Sequence, residues 1–164
     1  MKRKKKEIQM NKRHLLKYII LFLVGYCVYI AIEVTFRNYS FPLMGVVGAI
    51  SFILIDRINE VMPWDIDLII QSVIGSLLVT TFELIVGEGL KFFNQPPMWD
   101  YSSLPLNFDG VICLQFSLVW VLLSALAIFL ADAINYYLLH EDPVPHYNLL
   151  GKHFSFPIRR CSQD

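Results

Sequence analysis

Long apolar runs separated by short polar segments dominate this chain. The first begins at Leu15 and continues to about Phe36, and the second, Pro42 to Ile55, reaches a full membrane length only if its helix continues through Ile58 or beyond. Since about 20 apolar residues at about 1.5 Å each are needed to cross roughly 30 Å of hydrocarbon, the pattern predicts four spans. They cover residues 15–36, 42–60, 66–86 and 111–139.

The apolar runs are continuous rather than alternating, which favours helices over a transmembrane β-barrel. We therefore expect an all-α fold, a polytopic membrane helical bundle with four transmembrane helices. Outside the spans the sequence predicts a basic cytoplasmic arm (1–14), a structured outer loop before the last helix (87–110) and a mostly extended cytoplasmic tail (140–164). Residues 147–156 of that tail are expected to lie on the membrane surface.

Composition agrees with a membrane location. Hydrophobic residues make up 55% of the chain, charged residues only 17%, and the mean hydropathy is +0.51. A soluble domain of 164 residues is not built this way, so the lipid bilayer is the first expected partner. The first run exceeds the roughly 7–15 residues of a signal-peptide core and should remain as an anchor.

The basic residues are unevenly placed. Eight of the 14 Lys and Arg residues lie at or before the first span, one lies in the 56–65 loop and three lie in the tail. The predicted outer segments hold only Arg37 and Lys91. This asymmetry predicts a multi-pass cell-membrane protein with cytoplasmic N- and C-termini. The KRKKK run at 2–6 indicates topology and attraction to anionic lipid, and no nucleic-acid partner is expected.

Signatures of catalysis and cofactor binding are missing from the sequence. Cys27, Cys113 and Cys161 lack the spacing of a metal cluster, and the four histidines are scattered. Phosphate-binding loops, nucleophile elbows and zinc-binding helices are not found either. We expect no enzyme, no catalytic residue, no cofactor and no metal, so an ATP-driven step would need a separate ATPase.

Polar residues gather towards the predicted outer edge of the membrane. Glu33 and Arg37 lie four positions apart on one helix and can pair, and Glu83 lies near the outer end of the third span. An ionisable group at this depth is costly unless it faces protein, water or a partner. The candidate binding residues are Glu33, Arg37, Glu83, Trp99, Asp100, Tyr101, Ser102 and Asn107.

Some of these residues have a second interpretation. Glu33 and Arg37 also fit a structural ion pair at a helix end, and Glu83 fits a hydrogen bond between helices. Asp132 is interpreted as a boundary acid and Trp120 as a packing residue. The aromatic residues expected to anchor the protein at the membrane interface are Trp64, Phe92, Phe93 and Trp99.

Prolines shape the segment before the last span. Pro96 and Pro97 end any helix that arrives from the third span, and Pro105 holds Leu104 in an extended conformation. Residues 99–107 should therefore be non-helical. This segment fits either a structured re-entrant or lid-like loop or an ordinary extracellular connector.

Two segments resemble a known family. FELIVGEGLKFF (82–93) and WDYSSLPLNFDGVICLQFSLVW (99–120) look like the signature half of the family catalogued as putative ABC-transporter permeases of the CmpB or "type IV" kind. The resemblance is weaker before Leu77. The matching residues are Glu83, Gly87, Trp99 to Ser102, Pro105, Asn107, Gly110, Ile112 to Leu114 and Trp120. The resemblance implies membrane transport.

Three functional hypotheses follow. The leading one is solute transport through a polar site at the extracytoplasmic edge, built by Glu83 and the outer loop. Its partners would be a separate ATPase, another membrane subunit or further copies of the chain. The alternative is a scaffold or accessory subunit whose outer loop docks a partner. The third, an intramembrane enzyme acting on lipid with Glu83 or Asp100 as base, needs a nucleophile or metal that the sequence does not supply.

Overall fold

The structure, a computed structural model, describes the backbone of residues 2–63 and 65–158 and the side chains of residues 12–58, 61–63 and 65–158. The predicted anchor Trp64 and residues 159–164 of the tail lie outside the described residues. The chain divides into two compact units, residues 1–53 and residues 54–164. The helices are α1 (Lys2–Arg37), α2 (Pro42–Val61), α3 (Leu68–Phe92) and α4 (Leu114–Ala133), and α4 continues into a π-helical segment, Ile134–Leu138.

The first unit is a helical pair joined by a short turn. α1 ends at Arg37, and Asn38 follows with φ of 61°, a left-handed conformation that Asn tolerates at a helix end. α2 then starts on Pro42, whose fixed φ suits the first turn. Glycines bring the two helices together, because a Cβ at Gly25 would lie only 2.8 Å from the Cβ of Phe52.

Within the described residues, three helices are long and apolar enough to cross a membrane: Lys12–Arg37, Leu68–Phe92 and Leu114–Leu138. The chain is therefore a multi-pass membrane protein. α2 is not among the three, since its apolar run ends at Asp56 and Arg57. The predicted four helices are present, but only three of them qualify as candidate spans.

In the second unit, α3 packs on α4 through a face of small and polar residues. The buried positions of α3 recur every three or four residues, as expected for one helix face, and include Ser72, Gly75 and Ser76. A Cβ at Gly75 would lie 2.8 Å from the side chain of Ser124, so the helices approach closely there. The Ser76 hydroxyl donates to the Ser117 carbonyl at 2.6 Å, which ties the two helices together.

A β-hairpin closes one end of this unit. β3 (His146–Leu149) and β4 (Lys152–Ser155) pair antiparallel, and we call them the tail hairpin. The Asn148 amide donates to the Asp65 carbonyl at 2.9 Å, which fastens the tail hairpin to the start of α3. Tyr147 is buried in the apolar core with Ile55, Ile58, Leu68, Val79 and Ile128.

The tail hairpin corrects the prediction of a mostly extended tail. The expected location of residues 147–156 on the membrane surface stays a prediction. A two-residue turn, Leu150 and Gly151, folds the segment back on itself with both φ angles positive. The apolar side of β3 is thereby buried against helices. Sequence periodicity over four residues is too short to distinguish such a strand from an extended tail.

Candidate functional site

The segment between α3 and α4, residues 93–113, is a folded structure that we call the α3–α4 loop. α3 continues six residues beyond the predicted span and ends at Phe92, followed by Asn94 in a left-handed conformation. The loop closes on a short hairpin in which β1 (Asn107–Phe108) pairs with β2 (Ile112–Cys113). Asp109 and Gly110 form its turn with φ of 53° and 67°, as expected for an Asp-Gly pair.

The predicted binding residues Asp100 and Asn107 hold the backbone of this loop. The Ser102 amide donates to Asp100 Oδ1 at 2.8 Å, and this contact, together with the Ser102 side chain, lowers the pKa of Asp100. Asn107 donates to the Leu104 carbonyl at 2.6 Å and accepts from the Gly110 amide at 3.0 Å. These side chains therefore shape the turns that present the loop.

Trp99 packs within the loop, and Tyr101 attaches the loop to α4. Trp99 is buried and its indole nitrogen donates to the Val111 carbonyl at 2.7 Å, so its side chain fills the loop interior rather than the membrane interface where the sequence predicted it. A buried indole needs such an acceptor. The Tyr101 ring stacks on Phe116 of α4, with 4.6 Å between centroids.

Gly87 sets how closely the loop approaches α3. A Cβ at this position would lie 2.3 Å from Cγ1 of Val111, a distance that real side chains do not occupy. Val111 itself is almost fully buried. The absence of a side chain at Gly87 therefore leaves room for Val111. Val111 in turn accepts the hydrogen bond from the Trp99 indole.

A cavity of about 240 Å³ lies between the end of α3 and the loop, and we call it the loop cavity. Its charged lining residues are Lys91, Asp100 and Asp109. Lys91 donates to the Asp109 carboxylate at 2.5 Å and to the Asp109 carbonyl at 2.7 Å. The hydrogen bond from Lys91 lowers the pKa of Asp109. The other lining residues are Gly87, Leu90, Pro97, Met98, Trp99, Ser102, Gly110 and Val111.

Glu83 does not line the loop cavity. It lies one helical turn before Gly87, is only 3% exposed, and accepts a hydrogen bond from the indole nitrogen of Trp120 at 3.0 Å. Trp120 was predicted to be a packing residue, and it is also a donor across the α3–α4 interface. Of the two interpretations of Glu83, the hydrogen bond between helices is the one with a partner in the structure.

Glu33 and Arg37 form a separate polar cluster in the first unit. The Glu33 carboxylate accepts from the Arg37 guanidinium, as their spacing predicted, and also from the Ser40 hydroxyl. The Arg37 guanidinium lies 5.2 Å from the centre of the Tyr39 ring. These contacts join the end of α1 to the turn that precedes α2. Glu33 and Arg37 therefore stabilise that turn.

The opposite end of the second unit contains two further buried acids. Tyr147 donates to Asp132 at 2.6 Å, and Asn135 donates to Asp56 at 2.6 Å. Asp132, which the sequence interpreted as a boundary acid, lies in the last turn of α4 and is buried beneath the tail hairpin. This cover was not predicted, because the hairpin segment was expected to be extended.

Several residues of the loop cavity were missed by the sequence reasoning. Lys91 lies just before the loop and Asp109 near its end, and the two form an ion pair. Their opposite charges at the two ends of one loop could have suggested this pairing. Val111 was assigned to the fourth span, and no periodicity distinguishes it from a helical residue. Its contact with Gly87 depends on the fold of the loop and has no signal in the sequence.

The hydrogen bond between Trp120 and Glu83 leads to a direct test. We expect Trp120→Phe to lower the free energy of unfolding by about 1–3 kcal/mol, because a buried carboxylate loses a donor. Glu83→Gln is the matched control, since its amide oxygen can still accept from the indole and its stability should change less. Thermal unfolding in one detergent measures both variants. Equal stability of Trp120→Phe and the unmodified protein would show that the bond contributes little.

Comparison with protein-family models gives a match over most of the chain. The sequence model of a family described as "Putative ABC-transporter type IV" matches residues 4–149. The match covers most of the chain and extends well beyond the 82–120 region that carried the resemblance. No solved structure matches the chain.

Proposed function

Because the chain belongs to the family described as "Putative ABC-transporter type IV", we propose that it is the membrane-spanning component of a solute transporter. The observation that carries this proposal is the loop cavity, which lies between a folded loop and the end of a candidate membrane span, is partly open to solvent and has charged side chains in its lining. A solute site of this kind combines apolar walls with a few placed polar groups. The residues proposed to meet the solute are Lys91, Asp100 and Asp109.

We propose that Glu83 acts one turn below this cavity. Gly87, which is in contact with Val111, lies between Glu83 and the loop cavity along α3. Glu83 would meet a solute only when the loop moves away from α3. A buried acid in a membrane helix is costly and is commonly retained for such a role.

We further propose that α2 is a fourth span, which places both termini in the cytoplasm. The objections to α2 are Asp56 and Arg57. The Asp56 side chain is buried in protein and accepts from Asn135, so it is not exposed to lipid. Arg57 is exposed near the end of α2, where a long basic side chain can reach the membrane surface. The 12 Lys and Arg residues on the proposed inner side, against two outside, support this orientation. An externally accessible tag at the C-terminus would overturn it.

ATP hydrolysis would come from a separate ATPase. Uptake of a panel of radiolabelled amino acids, amines, sugars and inorganic ions into cells with and without the chain identifies the solute. With that solute, we expect Asp100→Asn and Glu83→Gln to abolish uptake while membrane levels stay unchanged. Both substitutions keep an oxygen that can accept the existing hydrogen bond, so they remove charge without removing the contact.

Ser103→Ala is the control for the uptake experiment, since Ser103 is exposed in the same loop and does not line the cavity. Full uptake by both charge variants would refute the proposed site. The second candidate function is a scaffold whose loop docks a partner. It predicts no uptake of any solute in the panel, and a co-purifying protein that is lost on Tyr101→Ala.

A further inference from the structure

The α3–α4 loop and the last residue of α3 expose large apolar side chains. Phe92 is 80% exposed, Phe93 70%, Leu106 73% and Phe108 62%. All four lie at or beyond the end of α3 and before the start of α4. An exposed apolar patch on a folded loop indicates that something outside the chain covers it.

The patch adjoins the apolar surfaces of two candidate spans. On α3, Ile85 is exposed two turns before Phe92, and on α4, Leu114 and Leu118 are exposed just after the loop. These helix surfaces face lipid if the helices cross the membrane. Continuity with them makes lipid the occupant that also reaches the patch.

Leu106 provides an independent observation. Its φ of 55° is left-handed, a conformation that is strained for Leu and natural for Gly or Asn. The strain is not compensated by burial, because the side chain points outwards. An apolar side chain held outwards on a strained backbone is understandable when it gains contacts outside the protein.

Several backbone groups of the loop are satisfied internally, which lowers the cost of entering an apolar environment. Tyr101 N–H donates to the Gly110 carbonyl at 2.8 Å, Val111 N–H to the Phe108 carbonyl at 3.0 Å and Leu114 N–H to the Leu106 carbonyl at 3.2 Å. Unsatisfied backbone groups exclude most loops from lipid. In this loop the polar side chains Asp100 and Asn107 satisfy further backbone groups.

We propose that the α3–α4 loop inserts into the bilayer leaflet at its end of the second unit, with Leu106 and Phe108 among the acyl chains and Phe92 and Phe93 at the interface. The occupant of the patch is lipid of the surrounding membrane. The loop is then a membrane-inserted element rather than a water-exposed connector. This holds whether the loop cavity binds a solute or a protein.

Site-directed fluorescence tests the insertion. The native Cys27, Cys113 and Cys161 are replaced by Ala, and single cysteines at Leu106, Phe108 or Ser103 are labelled with the environment-sensitive fluorophore NBD. The purified protein is reconstituted into phosphatidylcholine and phosphatidylglycerol vesicles. We expect quenching by shallow doxyl-labelled lipid to be at least threefold stronger at positions 106 and 108 than at 103, with the reverse order for aqueous iodide.

The two quenchers distinguish whether lipid, water or a second copy of the chain covers the patch. Equal iodide quenching at 103, 106 and 108 would show a water-exposed patch and overturn the proposal. Shielding of 106 and 108 from both iodide and doxyl lipid would indicate a second copy of the chain and would also overturn it. As a second measurement, Leu106→Asn introduces a polar side chain that tolerates the left-handed backbone, and it should increase iodide quenching at position 108.

Discussion

Gly87→Ala is expected to lower the free energy of unfolding by about 1–3 kcal/mol and to loosen the α3–α4 loop, because its Cβ would lie 2.3 Å from Val111 Cγ1. Val111 cannot move freely, since its carbonyl accepts from the indole of Trp99. Thermal unfolding in detergent measures the loss of stability. Hydrogen exchange should show faster exchange in residues 99–113 than in the unmodified protein.

The same helix offers a matched control. Gly89 lies two residues further along α3, and a Cβ there would meet nothing within 4 Å. Gly89→Ala should therefore be neutral or stabilising by up to about 1 kcal/mol, as for an unconstrained helical glycine. Val111→Ala combined with Gly87→Ala should recover much of the loss. If the two glycine variants are equally stable, the close approach at Gly87 does not hold the loop.

Tyr147→Phe is expected to weaken the attachment of the tail hairpin by about 1.5–3 kcal/mol, because a buried carboxylate, Asp132, loses a hydroxyl donor at 2.6 Å. Faster hydrogen exchange and easier proteolysis of residues 146–155 would report this. Tyr137→Phe is the control, since its hydroxyl makes an exposed hydrogen bond to the Pro157 carbonyl at 3.1 Å. Similar effects of the two substitutions would contradict the argument.

The attachment of the tail hairpin should also depend on alkaline pH. Burial, and then the nearby charge of Asp132, raise the pKa of Tyr147 above the usual 10.0. In the unfolded chain the phenol ionises near pH 10.0, whereas in the folded chain it stays neutral. The contribution of Tyr147 to the free energy of unfolding is therefore fully present below pH 10.0, and it decreases as the pH rises further. Tyr147→Phe should remove this part of the pH dependence.

The helices could be predicted from the sequence because their signal is long. Runs of about 20 apolar residues specify a membrane helix almost regardless of context. The signal is weak in α2, because it contains Asp56. The burial of Asp56 in this helix depends on a hydrogen bond from Asn135, which lies 79 positions away in the sequence. Length and composition cannot report such a contact.

The candidate site was predicted only in outline. The prolines correctly predicted that residues 99–107 are non-helical, but the sequence left open whether they form a structured loop or an ordinary connector. The roles of individual side chains were harder to predict, because Trp99 looks like an interface anchor until the acceptor on Val111 is known. Likewise, the pairing of Glu83 with Trp120 depends on the alignment of two antiparallel helices, which no local pattern specifies.

The tail hairpin has a consequence for the order of assembly. It binds both the start of α3, through Asp65 and Asp67, and the end of α4, through Asp132. The contacts to Asp65 and Asp67 join positions 83 residues apart, whereas Tyr147 follows Asp132 by only 15 residues. This end of the α3–α4 pair therefore reaches its final form only after residues 146–155 have folded back onto it.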